Sequence, residues 1–411
     1  MKKIAVLGHG VVGSGVCELF YEKREEFSKK LGEEICLKYI LVRRDYPNAA
    51  YQELFTRNFD DILNDDEVAV VAEVMGGIEP AYSYVKSLLE KGKSVVTSNK
   101  QLVAEKGAEL LKLAKEHNVN FMFEGSVAGG VPVIRPMHRC LSANKIEKVC
   151  GILNGTTNFI LTKMITDGLS FKEALTQAQE LGYAERDPSA DVEGLDACRK
   201  ICILASLAFG KHVYPDQVEC EGITAITKED VAYAEAWGGV IKLVGTAVPM
   251  PNGKIDVLVA PRFVAKDNLL AHVNDVFNAV QVSCDYVEDL MFYGKGAGKQ
   301  VTASAVGGDI LDCLSAKGTV DSLTWEDSSE SVVYDPFKSV FRMYFRFKYD
   351  EKEQLDEIRE VFSPITELHR KDQPENEIAF VTAFDSASEF ASKINVMNTH
   401  GVKLLGGIRL L

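Results

Sequence analysis

Apolar positions in this chain fall in short runs, each followed by a longer stretch where they recur at helical spacing. The first run, residues 4–7, leads into Gly8-His9-Gly10-Val11-Val12-Gly13 and a predicted helix over residues 12–30. Further strands are predicted at 36–42, 68–74 and 94–97, with helices near 81–91 and 104–117. Strands alternating with helices predict an α/β chain built on a doubly wound parallel sheet. The uncharged run ICILASLAF at 201–209 has to be buried, and GYAERDPSADVEGLDACRK at 182–200 leads straight into it. After a polar stretch at 326–336, read as a linker, the pattern gives an alternating strand (FRMYFRFKY), a helix near 352–362, a strand at 378–382, a helix near 386–397 and a last strand.

Composition narrows the class. A length of 411 residues suggests two or three domains, each able to bury its own core. Hydrophobic residues at 46% and charged residues at 26% fit a soluble globular enzyme. No segment has the ~18 consecutive apolar residues of a membrane span. The opening MKKIAVLGHG has too short an apolar run for a signal peptide, and a glycine turn stands where a cleavage region belongs. A net charge of -14 argues against a general nucleic-acid binder. Nine dispersed cysteines without a CxxC pair fit reduced thiols in the cytoplasm better than a disulfide framework or a zinc site.

The chemistry concentrates in a few places. In Gly8-His9-Gly10-Val11-Val12-Gly13 the glycines let a dinucleotide pyrophosphate approach the helix N-terminus, whose N–H groups and dipole favour anions. A tight packing turn is the plainer alternative. At the end of the second strand, Arg43 and Arg44 suit a 2'-phosphate and so NADP, whereas Asp45 keeps NAD open. Thr97-Ser98-Asn99-Lys100 puts a lysine at the carboxyl end of a strand, the edge where such sheets bind ligands. In FMFEGSVAGGVPVI (121–134), carbonyls turned inward together with the Glu124 carboxylate can hold a hard cation, although on residue types alone a structural loop is the better reading. In GILNGTTNFIL (151–161), Thr156-Thr157-Asn158 is the expected cap of a helix whose N-terminus faces a ligand, with Gly155 and Thr156 as candidate substrate contacts, although capping alone is sufficient to explain the threonines. Asp196 and Lys200, spaced i to i+4, share a helix face as they enter the dry run. An ordinary salt bridge is the competing reading. Burial disfavours the charged lysine and brings its proton affinity toward neutral pH, while Asp196 offsets part of that cost.

These segments, with TSNK at 97–100, EGSVAGGVP at 124–132 and GKGAGKQVTASAVGGDI at 294–310, resemble the homoserine dehydrogenases in order and wording over most of the chain. The resemblance implies reversible NAD(P)H-dependent reduction of L-aspartate 4-semialdehyde to L-homoserine, a step toward threonine, isoleucine and methionine. It implies that Lys200 donates the proton, that Lys100 lies near nicotinamide and substrate, and that Glu185 and Asp196 hold the substrate's amino and hydroxyl ends. It also implies a sodium site from Glu124 and the carbonyls of Val127, Gly129 and Val131, and a segment with Gly296 and Gly298 that closes over the cofactor. The alternatives are a related oxidoreductase acting on another small amino acid and a non-catalytic NADP sensor.

The implied architecture is a Rossmann-type nucleotide domain (1–133), an α+β substrate and dimerisation domain (134–300), a return segment (301–325) and a C-terminal ACT-like βαββαβ module (340–411). The assembly implied is a homodimer or homotetramer. Such a module can bind an amino-acid effector such as threonine. Here Asp350-Glu351-Lys352-Glu353 replaces the glycine turn that would let an amino acid approach the backbone, which leaves a structural role equally open.

Overall fold

The computed structural model describes residues 1–315, 323–328 and 330–411. The middle of the expected return segment, 316–322, lies outside the described residues. In chain order the elements begin with β1 (Lys2–Leu7), α1 (Val11–Glu22), α2 (Arg24–Leu31), β2 (Ile35–Leu41), β3 (Phe55–Thr56) and α3 (Asp60–Leu63). They continue with β4 (Val68–Glu73), α4 (Ala81–Glu90), β5 (Ser94–Thr97), α5 (Lys100–Glu116), β6 (Phe121–Met122) and β7 (Ile146–Ile152). Next come α6 (Gly155–Thr166), α7 (Phe171–Glu180), α8 (Ser189–Val192), α9 (Leu195–Phe209), β8 (Glu219–Cys220), α10 (Lys228–Trp237), β9 (Gly239–Pro249) and β10 (Ile255–Ala265). β11 (Phe277–Cys284), β12 (Glu288–Lys295) and α11 (Lys299–Ser315) follow. The last stretch holds β13 (Val340–Phe341), β14 (Met343–Lys348), α12 (Lys352–Phe362), β15 (Ile365–Leu368), β16 (Glu377–Thr382), β17 (Asp385–Ser386), α13 (Ala387–Thr399) and β18 (Lys403–Leu410).

Two compact units emerge, one of residues 1–149, 202–217 and 280–332, the other of 150–201, 218–279 and 333–411. The first contains a six-stranded parallel sheet in the order β3-β2-β1-β4-β5-β6. Strand order reverses at β1, so the carboxyl ends of β1 and β4 open the crevice where such sheets take nucleotides. Ile4, Val6, Val70, Ala72 and Val96 form the middle of this unit's core, and α1 and α11 pack on it through Val16, Phe20, Val306 and Ile310. The helix expected over 12–30 is two helices, interrupted at Lys23 without any glycine or proline to mark the break. The polar stretch read as a linker is tied down at its start. Trp325 donates from Nε1 to His212 Nδ1 at 2.7 Å, and the His212 N–H bonds the Glu326 carbonyl at 2.8 Å.

In the second unit β9, β10, β18, β14, β16 and β15 lie side by side in that order. The final stretch supplies a βαββαβ sequence in which β14 sits between β18 and β16, antiparallel to both. Phe345, Phe347, Ile358, Phe362, Phe380, Phe390 and Met397 form its core. Among the described residues no helix is long and apolar enough to cross a membrane.

Candidate active site

The nucleotide side lies in the first unit. Gly8 sits at φ +102°, a conformation open to glycine, and a Cβ on Gly13 would stand 2.2 Å from the Gly8 carbonyl oxygen. The turn therefore requires glycine for its own closure as well as for a ligand's approach. Gly10 precedes the first residue of α1, Val11, and a Cβ there would meet nothing within 4 Å, so its backbone faces open space. Val12 begins to pack on the core, and Val11 is exposed. Gly13→Ala is expected to lower thermal stability by about 1–3 kcal/mol through overpacking and to weaken binding of a reduced nicotinamide dinucleotide, read by thermal unfolding and by the dinucleotide's fluorescence. Unchanged binding in a folded variant would show that the turn tolerates displacement.

A cavity of about 410 Å³ opens beyond this turn, walled by Gly8 to Gly10, the end of β2, Val74 to Gly76 and the side chains of Arg43, Arg44, Tyr46 and Arg57. Asp45 turns to Arg57, whose Nη2 lies 2.6 Å from its Oδ1. Arg44 bonds the Tyr46 hydroxyl at 3.1 Å with its guanidinium over that ring. Arg57 was not legible as a site residue, because its link to the β2 end passes through a loop and an exposed ion pair. His9 is buried against Tyr46, Tyr51 and Phe55 and lies 3.0 Å from the Tyr51 hydroxyl; burial lowers its pKa and keeps it neutral.

Thr97 is fully buried and its hydroxyl donates to Glu73 Oε2 at 2.6 Å. Glu73 also receives the Met75 and Gly76 N–H groups, which fixes the turn after β4; burial raises its pKa against those bonds. Asn99 caps α5 by accepting from the Leu102 N–H, so Lys100 stands half-buried in the first turn at the sheet's carboxyl edge.

The 124–131 loop meets the segment before α11 closely. A Cβ on Gly129 would lie 2.4 Å from the Gly296 carbonyl oxygen, and one on Gly130 2.3 Å from Val301 Cγ1. Gly298 sits at φ +135°. The Glu124 carboxylate receives three backbone N–H groups, from Val133 and Ile134 on Oε1 and from Arg135 on Oε2. Oε1 is thereby saturated, and Oε2 keeps one lone pair. Among the described residues no group of three or more His, Cys, Asp or Glu side chains forms a metal cluster.

The second unit holds the lysine–aspartate pair. Lys200 is 8% exposed and donates from Nζ to Asp196 Oδ2 at 2.6 Å and to the Leu153 carbonyl at 2.7 Å. The helical spacing thus places both side chains in a dry region. The cap of α6 is Asn154 and not the expected Thr156-Thr157-Asn158, because the helix starts at Gly155 and Asn154 Oδ1 accepts from the Thr157 N–H at 2.8 Å. Thr156 bonds the Tyr183 carbonyl at 2.7 Å, and Asn158 holds the carbonyls of Val273, Asp275 and Phe277. A Cβ on Gly155 would lie 2.8 Å from the Val276 carbonyl oxygen, so α6 begins pressed against that loop.

Two residues of this group were missed by the sequence reading as site residues, Asn154 and Asp191. The Asn154 amide donates to Asp191 Oδ1 at 2.7 Å and to Asp196 Oδ2 at 2.9 Å. Burial, then the neighbouring Asp196 charge, raise the Asp191 pKa. Glu185 is exposed on the loop after α7, and no hydrogen bond joins its carboxylate to this group.

Family models and relatives match most of this chain. The family model for the homoserine dehydrogenase NAD-binding domain matches residues 8–124, and that for homoserine dehydrogenase matches 132–311. The homoserine dehydrogenase of Lactococcus lactis is 40% identical over 368 residues, 88% of this chain and 86% of its own length. The crystal structure of a Thiobacillus denitrificans homoserine dehydrogenase superposes with a TM-score of 0.91 at 33% identity, covering 100% of this chain and 98% of that one. A hyperthermophilic archaeal homoserine dehydrogenase in complex with NADPH gives a TM-score of 0.64 at 29% identity over 76% of this chain and 98% of that one. A nucleotide crevice on a parallel sheet, a lysine–aspartate pair in a dry helix and these matches over most of the length lead to one conclusion: the chain belongs to the homoserine dehydrogenase family of NAD(P)-dependent oxidoreductases.

Proposed function

We propose that this protein interconverts L-aspartate 4-semialdehyde and L-homoserine with NADP as the preferred cofactor, and that Lys200 is the proton donor. The bound cofactor supplies or accepts the hydride; the chain's own residues bind, orient and move a proton. The glycine turn and the first N–H groups of α1 suit the pyrophosphate, and Arg43 with Arg57 suits a 2'-phosphate. The NADPH complex of the archaeal relative supports the same preference.

Reduction of an aldehyde builds negative charge on its oxygen. The Lys200 ammonium stabilises that charge and delivers the proton, and in the oxidation direction the neutral amine takes the proton from the hydroxyl. Lys200 buried within the segment that the family model matches, with its ammonium fixed by both Asp196 and the Leu153 carbonyl, is the observation that carries the reading. Lys100 at the N-terminus of α5 serves the nicotinamide end, and Glu185 and Asp196 serve the substrate's amino and hydroxyl groups. A monovalent cation, sodium, suits the Val127, Gly129 and Val131 carbonyls with the remaining lone pair of Glu124 Oε2. The βαββαβ segment is an ACT-like module, and burial of Arg346 between Asp230 and Glu377, which ties β14 to α10 and β16, favours a structural role over threonine sensing. The enzyme works as a cytoplasmic homodimer or homotetramer.

The test follows absorbance of NADP and NAD separately with L-homoserine at alkaline pH, where proton release favours oxidation. Wild type is expected to reduce NADP; no reduction of either cofactor would overturn the reading. Replacing Arg43 and Arg57 together with serine is expected to raise KM for NADP about ten- to a hundredfold and leave that for NAD nearly unchanged. Equal changes for both cofactors would remove the 2'-phosphate assignment.

A further inference from the structure

The junction between β7 and α6 does more than start a helix. Its two residues, Leu153 and Asn154, reach every charged member of the acid–base group: the Leu153 carbonyl receives Lys200, and the Asn154 side chain binds Asp191 and Asp196. Asn154 is 5% exposed, and each bonding position of its amide is used. The two amide hydrogens go to carboxylate oxygens at 2.7 and 2.9 Å, and Oδ1 accepts from the Thr157 N–H at 2.8 Å and the Thr157 hydroxyl at 3.0 Å. The orientation is forced by chemistry. Flipped, the amide oxygen would face two carboxylates and the NH2 would face a main-chain N–H.

We propose that Asn154 is a positioning residue for proton transfer: it clamps Asp196 against Lys200 and holds Asp191 beside them, so that α6, α8 and α9 present the ammonium in one fixed direction. The inference rests on the assignment of Lys200 as proton donor. Asp196 Oδ2 is shared between the Asn154 amide at 2.9 Å and Lys200 Nζ at 2.6 Å, so movement of the amide carries the lysine's partner with it. A neutral donor between two carboxylates also screens their repulsion without removing the negative charge that Lys200 needs. Charge, cap and direction therefore meet in one side chain, whereas a helix cap alone would need only Oδ1.

Serine at this position separates the two roles, because it caps helices well but cannot reach both carboxylates. In Asn154→Ser the expected result is a folded enzyme of somewhat lower thermal stability, since two carboxylates lose a donor, and unchanged KM for NADP, with kcat for homoserine oxidation lowered on the order of ten- to a hundredfold. The primary isotope effect with homoserine deuterated at its reacting carbon should change with it, because the chemical step is what slows. Asn154→Asp keeps the cap acceptor and the shape but loses the donors, and is expected to fall at least as far as serine. Lys200→Ala in the same series reports on the underlying assignment: its loss of turnover with wild-type rates in both Asn154 variants would show that Asn154 is only a cap. Full turnover in Lys200→Ala would instead remove the assignment on which the inference stands. Should Asn154→Ser unfold, the aspartate variant carries the test, and wild-type kcat in it would overturn the proposal.

Discussion

Lys200→Ala is expected to lower kcat for homoserine oxidation by about a thousandfold while the NADPH dissociation constant stays within a factor of two or so of wild type. Lys200 is not among the residues that wall the crevice at the glycine turn and the arginines, so the side chains that suit the cofactor are all kept in the variant. What disappears is the ammonium that Asp196 and the Leu153 carbonyl hold. Without it, charge on the substrate oxygen loses the cation proposed to stabilise it, and water has to supply the proton. Positioned acid–base groups contribute roughly 10²–10⁴ in rate, and stabilising developing charge in a dry site adds to that. Lys200→Arg separates charge from proton transfer: a guanidinium stays protonated and matches poorly a site built for a compact ammonium, so little recovery is expected. Cofactor binding is read by NADPH fluorescence and turnover by absorbance. A Lys200→Ala enzyme retaining more than about a tenth of wild-type kcat would return Lys200 and Asp196 to the status of an ordinary buried salt bridge.

Sequence reasoning reached this pair because its geometry is local. Residues at i and i+4 on a helix that runs into ICILASLAF are neighbours whatever the rest of the fold does. The glycine turn was legible for the same reason, since strand, turn and helix follow one another along the chain. Asn154 was not, because its partners Asp191 and Asp196 lie 37 and 42 residues away and meet it only once β7, α8 and α9 are packed. The hydroxyl-rich Thr156-Thr157-Asn158 drew the cap assignment, yet the helix begins one residue before them, where the longer Asn154 side chain can reach back over the first turn. Arg57 escaped notice because Asp45, read as an alternative ribose ligand, turns to it across a loop. The break at Lys23 has no sequence marker, since α1 and α2 are separately held through Phe20 and Phe27 against one core.

The other large effect is expected in the C-terminal module. Arg346 on β14 is buried between Asp230 of α10 and Glu377 of β16, with Nε 3.1 Å from Asp230 Oδ1 and Nη1 3.3 Å from Glu377 Oε2. Arg370 completes the balance with a bond to Glu377 at 3.0 Å, and the hydroxyls of Tyr344 and Tyr233 donate to Asp230 and Glu377. Gly406 leaves the space the first carboxylate occupies, since a Cβ there would lie 2.7 Å from Asp230 Oδ1. Asp230, Glu377 and Arg346 are thus buried where α10 meets the βαββαβ segment, with the partly exposed Arg370 at their edge. Arg346→Met keeps most of the volume but leaves Asp230 without a cation and Glu377 with Arg370 alone, a change expected to cost about 3–5 kcal/mol because the remaining charge stays buried. Removing Asp230, Arg346 and Glu377 together in favour of apolar residues should cost less, because only the partly exposed Arg370 then loses its partner and its guanidinium can turn to water. The measurement is hydrogen exchange at β14, β16 and β18, which reports local opening even when a multi-unit chain does not unfold in one step. Protection is expected to fall in those strands while β1, β4 and β5 keep theirs. If the single and triple variants lost equal protection, shape rather than charge would hold the module. If neither lost any, the network would be dispensable and the segment freer to act as a sensor than its contacts imply.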